Sequence, residues 1–288
     1  MKRIVWVGFG IFCLLAASGW LVAPVPVPVP EGIRDLLYGV VGVAAVVVNG
    51  RRPWCGVRST LRVSAVGVML FGVTGMLVAW AGRYVPGTSG TVVFGLVPAV
   101  TVLVVAWEEE EARRFLGPGI VALGGLLLVV PFEVPGFAMG RVAVGVLCLA
   151  VVLTAVSGVW MWQLLRNFDG LQAVAIVGLA NSVFLLGVGI FDDAFRLGWG
   201  GWSVESGLSG ALEVTQVLLL IWLLGRMSPV RLAGRYLLIP LLTVVEGYFL
   251  MKPELTFRMG SGILILAGGA AWLLFRGWGE EASSLSLH

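Results

Sequence analysis

The stretch Gly82–Gly125, GRYVPGTSGTVVFGLVPAVTVLVVAWEEEEARRFLGPGIVALGG, recurs about 143 residues later as Gly225–Gly268, GRMSPVRLAGRYLLIPLLTVVEGYFLMKPELTFRMGSGILILAG. Gly82, Arg83 and Pro86 return as Gly225, Arg226 and Pro229. Pro98 and Thr101 return as Pro240 and Thr243, and Gly117, Gly119 and Gly125 as Gly260, Gly262 and Gly268. Apolar similarity alone would align valines with leucines. It would not hold glycine, proline, arginine and threonine in one register, so the chain reads as a duplicated unit.

Composition then sets the solvent of that unit. With 59% hydrophobic and 12% charged residues, the chain has too little polar surface to cover a water-soluble core of this size, and its place is a lipid bilayer. A net charge of +3 does not argue for nucleic acid, because the arginines are scattered between apolar runs. Cys13 and Cys148 lie inside such runs and Cys55 in an arginine-rich loop, which speaks against a disulfide framework. His288 is the only histidine. With no cluster of His and Cys and no Ser/His pair, neither a metal site, a cofactor nor an enzymatic nucleophile is expected.

Along the chain, the apolar runs divide into ten candidate spans. Lys2 and Arg3 precede the first, an uncleaved signal-like helix ending near Ala23, and Pro24–Pro30 follows as a stiff extended connector. The second runs from Ile33 or Leu36 to Val48, and a loop from Asn49 to Arg62 carries Arg51, Arg52, Arg58 and Arg62. The remaining spans are expected near Val63–Trp80, Thr91–Trp107, Phe115–Val130, Val142–Trp162, Leu171–Phe191, Gly207–Leu224, Arg235–Met251 and Gly260–Phe275. Glu108–Glu111 precede the fifth span, where exposed amides at a helix N-terminus favour acids.

With the N-terminus inside, thirteen Lys and Arg residues fall on the inner side. Six, namely Arg34, Arg83, Arg141, Arg196, Lys252 and Arg258, fall outside. This bias puts both termini in the cytoplasm of a cell (inner) membrane protein. Five spans per unit is an odd number, so the second copy enters the membrane upside down. The fold class expected is therefore an all-α integral membrane protein with ten transmembrane helices in two inverted five-helix repeats. The first covers residues 1–138 and the second 139–279, with a cytoplasmic tail at 280–288.

The segment AGRYVPGTSGTVVFGLVPAVTVLVVAW, followed by acids and FLGPGIVALGGLLLV, resembles the EamA domain of the drug/metabolite transporter superfamily, and RYLLIPLLTVVEG to SGILILAGG resembles it again. The likeness covers spans three to five and eight to ten, with Pro98 and Pro240 matching the family's helix-four and helix-nine proline; the acid that the family carries after helix nine is Lys252 here. The resemblance implies a central cavity between the halves and export of an amino acid or similar small metabolite. Its implied partners are that substrate, membrane lipids, protons as coupling ion and a second copy in a homodimer, with no nucleic acid. A lipid or lipid-linked-sugar flippase and a non-transporting scaffold are the alternatives on the same fold.

Two carboxylates lie inside expected spans, and an ionisable group there costs at least about 2.5 kcal/mol unless it faces protein or water. Glu213 continues a stripe with Ser206, Ser209 and Gln216 at helical spacing, and Thr243 sits one turn from Glu246. One reading makes Glu213, Gln216, Thr243 and Glu246 cavity-lining substrate or proton ligands, joined by Asn181 and Trp160. The other pairs the glutamates structurally with Arg83, Arg196 or Lys252. Pro98 and Pro240 are expected to act as hinges, each removing a helical donor. Glycines such as Gly39, Gly42, Gly72 and Gly75 are expected at helix contacts.

Overall fold

A computed structural model describes residues 2–21, 28–54, 56–130, 132–133, 135–166, 168–191, 204–251 and 256–275; the side chains of residues 2, 20, 21, 28–30, 191 and 204–210 are outside this description. Among the described residues the chain is helical with no strand. In chain order the helices are α1 (Lys2–Ala17), α2 (Pro28–Val48), α3 (Val57–Ala81), α4 (Gly87–Val105) and α5 (Glu110–Val129). They continue as α6 (Ala138–Leu165), α7 (Gly170–Phe191), α8 (Val204–Leu224), α9 (Pro229–Met251) and α10 (Phe257–Phe275). Seven of these, α3 to α7, α9 and α10, are long and apolar enough to cross a membrane. Apolar side chains such as Val41, Ile190, Phe249 and Leu264 point outward from the bundle, as they do where the surrounding medium is lipid. The architecture is that of an all-α membrane protein.

Two helix pairs form the closest contacts, and glycine is the reason. A Cβ on Gly39 would stand 2.8 Å from the backbone N of Leu179, and one on Gly42 2.9 Å from that of Ala175, so α2 and α7 touch backbone to backbone. The α5–α10 pair repeats the device: Gly125 abuts the backbone of Leu266, and a Cβ on Gly269 would stand 2.6 Å from the backbone N of Ala122. In lipid there is little hydrophobic gain from pairing helices, so dispersion at close approach must hold them together. Phe9, Cys13, Leu126, Ile176, Leu223, Leu237 and Leu266 fill the centre of the bundle. As expected, Gly39 and Gly42 are packing positions, and Gly72 lies against Asn181 and Phe184. Gly75 has no neighbour within 4 Å of a built Cβ.

Four helices depart from regular geometry, the simplest being α5, which is 3-10 helical over Glu110–Phe115. Residues Val68–Val73 of α3 form a π-helical turn, and the Thr74 hydroxyl donates to the Met69 carbonyl five residues back at 2.8 Å. In α4, Leu96 N–H bonds only three residues back, to the Val93 carbonyl at 3.1 Å, just before Pro98 leaves the Phe94 carbonyl without its usual donor. In α9, Gly234 N–H likewise bonds three residues back, to Arg231 at 3.0 Å, and divides Pro229–Ala233 from Arg235–Met251. Pro240 lies beyond that break, inside assigned helix. The two prolines therefore occupy unlike settings: Pro98 is in the first turn after a break and Pro240 within a continuous stretch.

Some boundaries differ from the sequence expectation. The helix α2 starts at Pro28, so Pro28 and Pro30 belong to its first turn rather than to an extended connector. A proline there gives up no hydrogen bond, since the first N–H groups of a helix have no acceptor within it. Arg58 and Arg62 sit in the first turns of α3, which begins six residues earlier than expected. The tail 280–288, Cys55, Arg196 and Lys252 lie outside the described residues.

Candidate functional site

The helices α3, α4, α6, α8 and α9 line an open cavity of about 610 Å³, and Glu31 from the first turn of α2 reaches its wall. Its rim is the exposed turn between α3 and α4, with Gly82, Pro86 and Gly87. Leu70, Thr154, Arg235 and Tyr236 form the floor. From Gly82 to Leu70 along α3 is about 18 Å at 1.5 Å per residue, more than half the thickness of a hydrocarbon core. The π turn of α3 contributes Leu70 and Phe71 to this wall, and α9 contributes Pro240.

Beneath the floor the space narrows to about 30 Å³. Val97, Thr101, Val159, Leu232 and Ala233 close it, all of them buried. These side chains come from the two broken helices, α4 and α9, and from α6. On the far side a second cavity of about 510 Å³ opens among Glu108, Glu109, Glu111, Arg114, Gln163 and Arg231. The molecule thus has a deep, mainly apolar cavity at one end, a charged one at the other and a thin packed layer between.

The chemistry of the deep cavity is uneven. Its threonines have their hydroxyls turned into their own helices: Thr74 donates to Met69, Thr91 to Gly87 at 3.0 Å and Thr154 to Ala150 at 2.8 Å. One carboxyl and one guanidinium side chain remain on the wall, those of Glu31 and Arg235. Arg235 is only 8% exposed. Its Nη2 donates to the Tyr236 hydroxyl at 2.8 Å, and its guanidinium lies 4.7 Å from the Tyr236 ring centre and 5.7 Å from that of Phe12. Among the described residues no carboxylate lies within ion-pair distance of it. Phe94 packs against Tyr236 with ring centres 5.8 Å apart and shares the wall.

The residues singled out in the sequence are placed elsewhere, apart from Pro240. Gln216 Nε2 donates to the Leu15 carbonyl at 3.0 Å, Thr243 Oγ1 lies 3.5 Å from the Ala17 carbonyl, and Glu246 Oε1 accepts from Ser18 Oγ at 2.9 Å. Gln216 and Glu246, from α8 and α9, thus meet the end of α1, where the last carbonyls of a helix have no donor of their own, while the Thr243 hydroxyl donates to the Ile239 carbonyl of its own helix at 3.0 Å. Glu213 is paired with Arg34 of α2, whose Nε is also 3.5 Å from Asp35 Oδ1. Asn181 of α7 donates to Asp35, and both are buried. Trp160 is 48% exposed on the outside of α6. Pro98 stands next to Val97 at the closing layer. The side chains of Ser206 and Ser209 lie outside the description. Neither glutamate takes Arg83 as its partner, and Arg34, which by sequence lies among the charges flanking the spans, pairs with Glu213 instead.

Neither a family model nor a curated protein matches the chain. A solved structure described only as "Crystal structure of protein" is similar with a TM-score of 0.75 at 16% sequence identity, covering 97% of this chain and 99% of that one. The likeness extends over nearly the whole of both chains, and at this identity what the two share is the fold.

Proposed function

We propose that the chain is a secondary transporter of a small metabolite, of the EamA type in the drug/metabolite transporter superfamily, whose path runs through the deep cavity. The observation that carries this reading is the pair of cavities separated by one thin buried layer. A passage that is open at one end and shut near its middle is what alternating access requires. The sequence repeat and the two glycine-mediated contacts support ten crossings in two inverted halves, since α2 with α7 and α5 with α10 pair each helix with the one five places on. With both termini cytoplasmic, the deep cavity faces outward and the acidic one inward.

In this mechanism the closing layer opens when α4 and α9 move apart. Their breaks at Leu96 and Gly234 lie beside that layer, so a rotation there shifts Val97, Thr101, Leu232 and Ala233 while leaving the α2–α7 and α5–α10 contacts in place. Motion of the broken ends against a rigid frame would close the outer cavity as the inner one opens.

The test is flux in proteoliposomes holding the purified protein, with a panel of amino acids, organic acids and nucleobases at two pH values. Saturable uptake or efflux above that of protein-free vesicles supports the reading. Absence of flux for every solute, with scrambling of a fluorescent lipid instead, would replace it with a flippase on the same fold.

A further inference from the structure

Arg235 is a buried cation on the cavity floor with no carboxylate partner among the described residues, and burial of an unpaired charge is costly enough that a counter-charge must be accounted for. What surrounds it compensates in part. The Tyr236 hydroxyl takes one of its five donors, and the rings of Phe12 and Tyr236 offer their faces. Arg235 lines both the deep cavity and the narrow space beneath it. A planar fork of N–H groups matches a carboxylate in a bidentate arrangement, and one fixed cation balances one negative charge. Above it the wall is Phe71, Phe94, Tyr236, Ile239, Val78 and Leu147, which would accept an apolar body and no second charge. Glu31 stands at the mouth, on the turn-bearing side, and not beside the floor.

We infer that the cavity binds a small monocarboxylate with an aromatic or branched apolar body, its carboxylate on Arg235 and its body against Phe94 and Tyr236. This rests on the transporter reading for its purpose, but the binding chemistry stands on the cavity itself. A dianion such as phosphate would leave one charge unbalanced among apolar walls. An organic cation would meet Arg235 at the floor, where like charges repel.

The experiment uses the full-length protein in lipid nanodiscs. Binding of phenylacetate and 4-methylvalerate is measured by calorimetry and by thermal stabilisation, beside phenylacetamide, 4-methylvaleramide, inorganic phosphate and phenethylamine. The expected result is saturable binding of the two carboxylates, with the amides weaker by roughly tenfold or more. Arg235→Gln should abolish carboxylate binding, while Arg235→Lys, which keeps the charge and loses the fork, should retain part of it. Amides binding as well as acids, or a preference of the wild-type protein for phosphate or phenethylamine, would overturn the assignment, and neither result depends on a variant folding. Carboxylate binding without flux in proteoliposomes would leave this inference standing and remove the transporter reading. Flux of a neutral or cationic solute that ignores Arg235→Lys would do the reverse.

Discussion

Ser18 and Glu246 are joined by a hydrogen bond of 2.9 Å between the end of α1 and the C-terminal half of α9. With Gln216 on the Leu15 carbonyl and Thr243 beside that of Ala17, it makes a polar clasp around the last turn of α1. The carboxylate holds a helix end, so its loss should act on stability. Glu246→Ala is expected to destabilise the protein by about 1–3 kcal/mol, the usual cost of leaving a hydrogen-bonding group without its partner inside a protein. Ser18→Ala should cost less, and the double variant should cost less than the sum of the two. Thermal unfolding of the four proteins in one detergent checks this, and strict additivity would show that the two side chains do not interact.

Glu213 makes its ion pair with Arg34, and this links α8 to α2. Because the pair is partly exposed, its coupling should be modest, about 1 kcal/mol or less in a double-mutant cycle of Arg34→Gln with Glu213→Gln. Transport by Glu213→Gln should keep the wild-type pH profile between about pH 5.5 and 8, since the carboxylate stands outside the deep cavity wall. A flattened profile in that variant, with folding intact, would return Glu213 to a proton-carrying role.

Gly125 and Gly75 should respond in opposite ways to the same added methyl group. At Gly125 a Cβ would meet the backbone of Leu266, which cannot turn aside as a flexible side chain can, so Gly125→Ala is expected to lower stability by about 1–3 kcal/mol. Gly75 has open space and lines the cavity. Gly75→Ala should therefore leave the melting temperature unchanged, while Gly75→Leu should leave the fold intact and occupy the cavity, lowering carboxylate binding at least about tenfold. Size-exclusion profiles, melting curves and binding isotherms of the three variants measure both effects.

The topology is open to a direct check with single cysteines in a background lacking Cys13, Cys55 and Cys148. Asn49→Cys and Glu109→Cys, at the ends of α2 and α4, should react with a membrane-impermeant maleimide only after the cytoplasmic face is exposed. Thr88→Cys, at the turn between α3 and α4, should react in intact cells. Labelling of Asn49→Cys and Thr88→Cys from the same side would exclude the proposed crossing of α3.

The sequence alone determined the all-helical, lipid-embedded character of the chain. Apolar runs of this length can satisfy their backbone hydrogen bonds in hydrocarbon only as helices, and that requirement acts on each segment separately. It also marked Gly39 and Gly42 as contacts, because a helix surface without side chains has use where another backbone approaches. What it did not reveal is the rotation of each helix about its axis. Glu213, Gln216, Thr243 and Glu246 read as candidate cavity-lining residues, yet the tertiary structure turns Gln216 and Glu246 onto the end of α1, Thr243 onto its own helix and Glu213 onto Arg34. Arg235 illustrates the converse. At the start of a span it counts as a loop charge, and only the packing of Phe12 from α1 and Tyr236 around it, with α3 and α6 across the cavity, makes it a buried cation on a cavity wall. A polar group within a helix is a local property, but whether it meets a helix end, an ion-pair partner or a cavity depends on neighbours distant in sequence, and those are assigned only when the helices pack.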